Sequence, residues 1–579
     1  MTQFYDYNPK LKIPDALYTP LSGVKLTGGL FRTVFENNRR FLDKLDDGKM
    51  SYWFDVKAGR PTDAEPYKGH FEDNLKGSTL SMFLMGASNM LRWVDDPALS
   101  ERAERLAAVI RDTAEDDGFL MPVDKRNFAW REYPHYVRIW LTYALAAYGL
   151  SGKGDGYAML RKWQDWFNAC PDLPIIKYLE LAFQGVVAST YVYTTPAGRF
   201  EDIEKTIEFY EEPWRLAQFM RREADCVHVR KQPGREPHAH GTELESFEGY
   251  LDLYRATGRN YYLEAVKGAW ELYRRDWQHP GGGIVMCEGM STNHPKCYWL
   301  DPKNNYNELC CTSFWIFLNQ RLHRLFPDEE AYAAEIEKSL YNIAIANQDN
   351  GDGIRYFAYL EGKKQPSGLV HCCCGVGTHI FGSLPEFIFS AMDNTVSVDL
   401  YAPAEFDWQG PGVKLTLDAD AAFRDDASLT VNTPEPKELT VRLRIPSWSG
   451  DTEVFLNGGS LGRFPSGSYA PVTRVFRDGD TLTCRFSRSF RLTEYVGDEQ
   501  LDGGNVRRYY IERGPLLYAV AGPSFRQARY IGWTADDFES WLTPSGSGYS
   551  IAQHPEYSLI PYAFLDGSPE FTCCPVMKY

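Results

Sequence analysis

Three cysteines stand in a row, Cys372, Cys373 and Cys374, ahead of the glycine-broken stretch GVGTHIFGS. Adjacent cysteines do not readily bridge one another. They can share a metal, offer one reactive thiolate, or do both. Upstream, NNYNELCCTSF supplies Glu308, Cys310 and Cys311. The two segments together offer a carboxylate and several thiols, and zinc accepts Cys sulfur and Glu oxygen in a tetrahedral shell. The spacing is not that of a zinc finger or ribbon, whose cysteine pairs are separated by roughly two to four residues. Glu308 also has a plain structural use, because acidic residues favour helix N-termini. A zinc-bound thiolate is deprotonated at neutral pH and is a soft nucleophile held in one place. It suits covalent catalysis, in which an acid protonates a leaving group and later activates water. Glu288, in GGGIVMCEGMSTNH, is a candidate for that acid. The residues Ile284 to Cys287 before it read as extended, and a lone Glu after them is otherwise an exposed loop residue.

The rest of the chain sets the context for these groups. A length of 579 residues calls for more than one domain. The net charge of −16 opposes binding to a nucleic-acid backbone, so no nucleic-acid partner is expected. Nothing approaches the run of about 18 apolar residues that a membrane helix needs. MTQFYDYNPKLKIPDALYTP lacks a basic start followed by an apolar run, and a cytoplasmic location is the expectation. Twelve cysteines in such a reducing compartment point to metal or catalysis more than to disulfides, and seven of them fall between Cys287 and Cys374. The abundance of Tyr and Trp suits a cleft that stacks on sugar faces, although core packing accounts for most of them.

The elements that must position these groups fall into two grammars. From about residue 30 to 390 the pattern is helical. HYVRIWLTYALAAYGLSGKGD is a long apolar run that breaks at Gly149. TELESFEGYLDLYRATGRN puts Leu244, Phe247, Leu251 and Tyr254 on one stripe and stops at Gly258. Two further helices divide at Pro327, with Asp328 expected as the cap. Helix, short turn, helix recurs without a strict period, which favours a closed ring of helix pairs over a regular array. After about Ala391 the pattern alternates apolar and polar residues between turns, in TVSVDLYAP, VKLTLDADAAF, SLTVNT, ELTVRLRIPSW, TEVFLNG and DTLTCRFSRSF. That reads as an antiparallel sandwich. VRRYYIERGPLLYAVAG opens a last β region. The expected domains are 1–390, 391–490 and 491–579.

NELC, HCCCGVG and GGGIVMCEGM, taken together, resemble glycoside hydrolase family 127, the β-L-arabinofuranosidase group. EDDGFLMP, YYIERGPLLYAVAG and LIPYAFLDGSPEF extend the resemblance over nearly the whole chain. It implies an (α/α)6 barrel carrying β-sandwich domains. It also implies a retaining glycosidase with a zinc-bound cysteine nucleophile, acting on L-arabinofuranose or a related furanose. Position by position, it makes Glu308, Cys310, Cys372 and Cys373 the Zn2+ ligands. Cys372 becomes the nucleophile and Glu288 the acid/base. Cys311 and Cys374 are left as neighbours without a role. It makes His135, His238 and His240 contacts to substrate hydroxyls, each with a structural alternative as a cap or core hydrogen-bonding group. The loop between Glu288 and Glu308 is long for the family. PDLPIIKYLELAF lacks the family's Gly-His-Pro, so the sugar could differ. A carbohydrate substrate, no membrane and a homodimer are the expected partners. Two other readings stand beside this one: a sugar isomerase or epimerase, and a non-hydrolytic sugar-binding protein with a structural zinc site.

Overall fold

The computed structural model describes residues 3, 11–130, 132–170, 185–223, 243–286, 300, 306–497, 506–567 and 569–578. Helices come first and sheets follow. Among the described residues, six buried helices form the inner layer of the helical region: Ser78–Leu91, Glu132–Leu150, Gly185–Tyr193, Leu244–Thr257, Leu309–Leu325 and Cys372–Ser383. Each packs on the next, and the last packs on the first, so the cycle closes. Outside it, Pro97–Asp112, Gly156–Ala169, Phe200–Tyr210, Asn260–Leu272, Glu330–Ser339 and Gly29–Asp43 pack on the inner helices, Gly29–Asp43 bridging the last and the first of them.

Sequence separates the two layers. STLSMFLMGASNML is apolar or small all round, and every residue of Ser78–Leu91 is buried. Leu309–Leu325 is likewise buried throughout. The outer helix Pro97–Asp112 buries only Leu99, Ala103, Leu106, Ala107 and Ile110, one stripe at helical spacing. Its start follows the rules of capping: Asp96 accepts from Leu99 N, and Pro97 occupies the first turn. The inner helices also need small residues where they touch. A Cβ on Gly86 would stand 2.2 Å from Thr378 Oγ1, so only glycine lets Ser78–Leu91 and Cys372–Ser383 approach this closely.

Gly258 ends its helix in the left-handed region at φ 70°, as the sequence suggests. The expected cap at Asp328 is not made. The helix begins at Glu330 with Glu329 as the capping position, and the Asp328 carboxylate pairs with Arg442 at 2.6 Å instead. The helix expected to break at Gly149 runs one residue further, to Leu150.

The β region supplies three larger sheets. The seven-stranded one runs in the order Val24–Leu26, Ala404–Trp408, Val413–Ala419, Asp426–Asn432, Asp480–Arg485, Thr452–Leu456, Gly459–Phe464. Its first strand therefore comes from the residues that precede the helices. Every second residue of Val413–Ala419 is buried, which matches its sequence alternation. A four-stranded sheet accompanies it, and one of its pairings, Thr395–Val398 with Lys437–Ile445, is parallel. The third sheet is built on Val506–Arg513 and Leu516–Gly522. It also takes in Glu361–Gly362 from the helical region, through Glu570–Thr572.

Candidate active site and metal centre

The four predicted ligands come together. Glu308 closes the strand Tyr306–Glu308 and stands at the N-cap of Leu309–Leu325, so Cys310 lies in that helix's first turn. Cys372 and Cys373 open the helix Cys372–Ser383. One ligand atom from each of Glu308, Cys310, Cys372 and Cys373 lies within 4.8 Å of all the others, and all four residues are buried. Cys310 Sγ is 3.3 Å from Cys373 Sγ. Glu308 Oε1 is 3.9 Å from Cys372 Sγ and 3.7 Å from Cys373 Sγ.

The two helices that carry the cysteines point the same way. Cys310 and Cys373, each in a first turn, are in contact; further along the same two helices Phe317 stacks on His379 with ring centroids 4.5 Å apart. Tyr143, within Glu132–Leu150, also reaches His379, at 6.1 Å. Two helix N-termini thus converge on the thiols, and their positive ends favour thiolate.

The three sulfurs do not share charge equally. Burial opposes ionisation of Cys372, but hydrogen bonds with Cys310 and Cys373, the nearby His371 ring and the Tyr356 hydroxyl outweigh it and bring the thiol well below its ordinary range. Burial pushes the Cys373 and Cys310 thiols up, and negative charge on Cys372 adds to this. The electrostatics therefore single out Cys372 as the sulfur that most readily carries charge. Tyr356 Oη is 3.0 Å from Cys372 Sγ. Burial pulls His371 below its usual value while the Cys372 charge opposes this, and its Nε2 lies 3.1 Å from Ile354 O.

Cys374 and Cys311 stay out of the four-residue cluster. Cys374 Sγ instead sits 3.4 Å from both Gly368 O and His371 Nε2. Glu288, His238 and His240 lie outside the described residues, as does all of PDLPIIKYLELAF. His135 falls in the first turn of Glu132–Leu150, and its side chain also lies outside them. Tyr356 and His371 were missed by sequence reasoning. The only signal for Tyr356 is the alternation of IRYFAYL, a strand pattern just ahead of the cysteine row.

Known proteins resemble this chain in sequence pattern and in fold. Residues 23–386 match the GH127 catalytic domain of β-L-arabinofuranosidases, and residues 395–488 match the GH127 middle domain. A GH127 β-L-arabinofuranosidase from Geobacillus stearothermophilus T6 superposes with TM-score 0.75 at 18% identity, covering 96% of this chain and 100% of its own. A second GH127 β-arabinofuranosidase gives TM-score 0.76 at 18% identity, with 99% of each chain covered. A third structure, described as a glycoside hydrolase, gives 0.72 at 15% identity over 100% of both chains. No curated protein matches the sequence. With the catalytic-domain match spanning more than half of its residues, this chain belongs to the GH127 β-L-arabinofuranosidase family and is a glycosidase with a carbohydrate substrate.

Proposed function

We propose that the protein is a retaining glycosidase that releases L-arabinofuranose or a related furanose, with Cys372 as nucleophile and Glu288 as acid/base. The observation that carries this reading is the buried meeting of Glu308, Cys310, Cys372 and Cys373 within 4.8 Å. One oxygen and three sulfurs fit the donor preference of zinc and not that of magnesium or calcium, which take oxygen ligands. Bound there by these four side chains, zinc would keep Cys372 as thiolate and make it a better leaving group. The closed cycle of six inner helices, each backed by an outer one, supports an (α/α)6 barrel around this centre.

The chain's own groups then divide the work. Cys372 Sγ attacks the anomeric carbon as the bond from that carbon to the glycosidic oxygen breaks. Glu288 gives its proton to the departing oxygen. A C–S bond now joins sugar and protein. Glu288 next takes a proton from water, the water oxygen bonds to the anomeric carbon, and the C–S electron pair returns to sulfur. Two displacements at one carbon restore the original configuration. The 3.0 Å contact to Tyr356 and the shifted ionisation of Cys372 both favour this sulfur over its neighbours.

A panel of aryl furanosides of both enantiomeric series, followed by NMR, tests the reading. The expected result is release of a furanose whose first-formed anomer keeps the substrate's configuration. Cys372→Ser is expected to cut turnover by about 10⁴-fold or more while its unfolding transition stays in place. An inverted first product, or full turnover by Cys372→Ser, contradicts the mechanism.

A further inference from the structure

The last β region looks remote from the thiols, yet it holds the strand that touches them. Phe357–Ala358 pairs with Tyr306–Glu308, placing Phe357 opposite Glu308 and Ala358 opposite Asn307. Leu309 N also donates to Tyr356 O at 3.2 Å. The short run from Tyr356 to Glu361 therefore borders the metal centre through Glu308 on one side and through Cys372 on the other.

The other end of that run is fastened into the C-terminal sheet. Cys573 N donates to Leu360 O at 2.8 Å, and Tyr562 Oη donates to Tyr359 O at 2.9 Å. Glu361 is buried, and its Oε1 accepts from Arg508 Nη1 at 2.6 Å, from Thr572 Oγ1 at 2.7 Å and from Arg529 Nε at 3.0 Å. Its Oε2 pairs with the second arm of Arg529. A buried carboxylate with these partners has one available position, and it fixes the far end of the run that starts at Tyr356.

We propose that Glu361, clamped by Arg508 and Arg529 of the C-terminal β region, is a positioning residue for the glycosidase reaction, and that what it positions is the Tyr356 hydroxyl against Cys372 Sγ. Tyr356 is then a catalytic residue. Its O–H donates to the Cys372 thiolate, lowers the energy of that charge and so eases expulsion of the sulfur when the glycosyl group is released. The inference rests on Cys372 being the nucleophile. It gives the C-terminal sheet a part in the chemistry, beyond support.

The test compares Tyr356→Phe, Glu361→Gln, Arg529→Gln and the Tyr356→Phe/Glu361→Gln double variant in the full-length metal-loaded protein. Arg529 lies nearer the surface than Arg508, so Arg529→Gln is a milder route to the same loosening if Glu361→Gln folds poorly. Tyr356→Phe is expected to lower kcat by about 10-fold or more with KM nearly unchanged, and Glu361→Gln to lower it several-fold. The double variant is expected to be no slower than Tyr356→Phe alone, because the second change acts only through the hydroxyl the first removes. Wild-type kcat in Glu361→Gln and Arg529→Gln, or effects that multiply in the double variant, overturns the proposal. A second readout does not need turnover. In the cobalt-exchanged protein, loss of a hydrogen bond to the thiolate is expected to move the sulfur-to-cobalt absorption band to longer wavelength in Tyr356→Phe, and by a smaller amount in Glu361→Gln. If that band moves while wild type cleaves no furanoside, the positioning stands and the proposed function falls. A band that stays fixed in both variants counts against the positioning even where the wild type is active.

Discussion

The two ends of the helical ring are both buried and both polar, but they are built on opposite principles. At the far end, Arg321 pairs with Glu248 and lies 3.6 Å from Asp252. Arg255 bridges Asp252 at 3.0 Å and Asp15 at 3.1 Å, and Arg324 reaches Asp15 at 3.4 Å. Arg92 meets Glu386 at 2.7 Å, with Gln320 donating to the same carboxylate at 2.8 Å. Four guanidiniums there face four carboxylates, so every carboxylate has a cationic neighbour among the protein's own side chains. At the near end the groups that meet are one carboxyl and three thiols, all of which ionise to anions. Burying several such groups together is costly unless a cation joins them. The comparison teaches where to look for function in a polar core. A cluster that balances itself holds the fold, and a cluster of acids alone calls for something brought from outside.

Substitutions at the two ends should therefore fail in opposite ways. Arg321→Ala takes the guanidinium from Glu248 and leaves Asp252 with Arg255 alone, and is expected to cost about 3–5 kcal/mol in denaturant unfolding. Activity per folded molecule should survive. Cys372→Ser should do the reverse, with stability largely kept and turnover gone. If Arg321→Ala instead kills activity at unchanged stability, the division between the two ends is wrong.

A smaller effect lies between the ends. Burial first, and then the charges of Arg92 and Arg321, hold His379 down to about 3 from its ordinary 6.5. A base whose folded value is depressed contributes stability that is complete above the unfolded value and is lost as pH falls through the window between the two. From pH 6.5 downward the wild-type protein should thus lose up to roughly 1.4 kcal/mol per pH unit through this group. Melting curves of wild type and His379→Gln at pH 7 and pH 5 measure it. The variant should show the smaller fall. Equal falls would place the His379 ring in a wetter setting than its stacking on Phe317 describes.

Much of this architecture was legible from local pattern. The helical and β halves differ in period, and strand after strand from TVSVDLYAP to DTLTCRFSRSF falls where alternation puts it. Gly258 was readable because a left-handed cap favours glycine. Asp328 misled because capping preference is local, while its actual partner, Arg442, is far away in sequence. The same limit governed the site. Glu308, Cys310, Cys372 and Cys373 announce themselves by residue type, since few reasons exist to gather thiols and a carboxyl. Tyr356 carries no such mark. A tyrosine in an alternating run is ordinary, and only the pairing of Phe357–Ala358 with Tyr306–Glu308 brings it to the sulfur. The link from Glu361 to Arg508 and Arg529 spans well over a hundred residues of chain, and no spacing rule reaches across it.

The central claim is that one cation sits among these four side chains. X-ray absorption at the zinc edge of the purified protein tests it most directly. The account predicts about one zinc per chain, with three sulfurs at about 2.3 Å and one oxygen at about 2.0–2.2 Å. A protein that holds no zinc after reconstitution, or zinc surrounded only by oxygen and nitrogen, would contradict it.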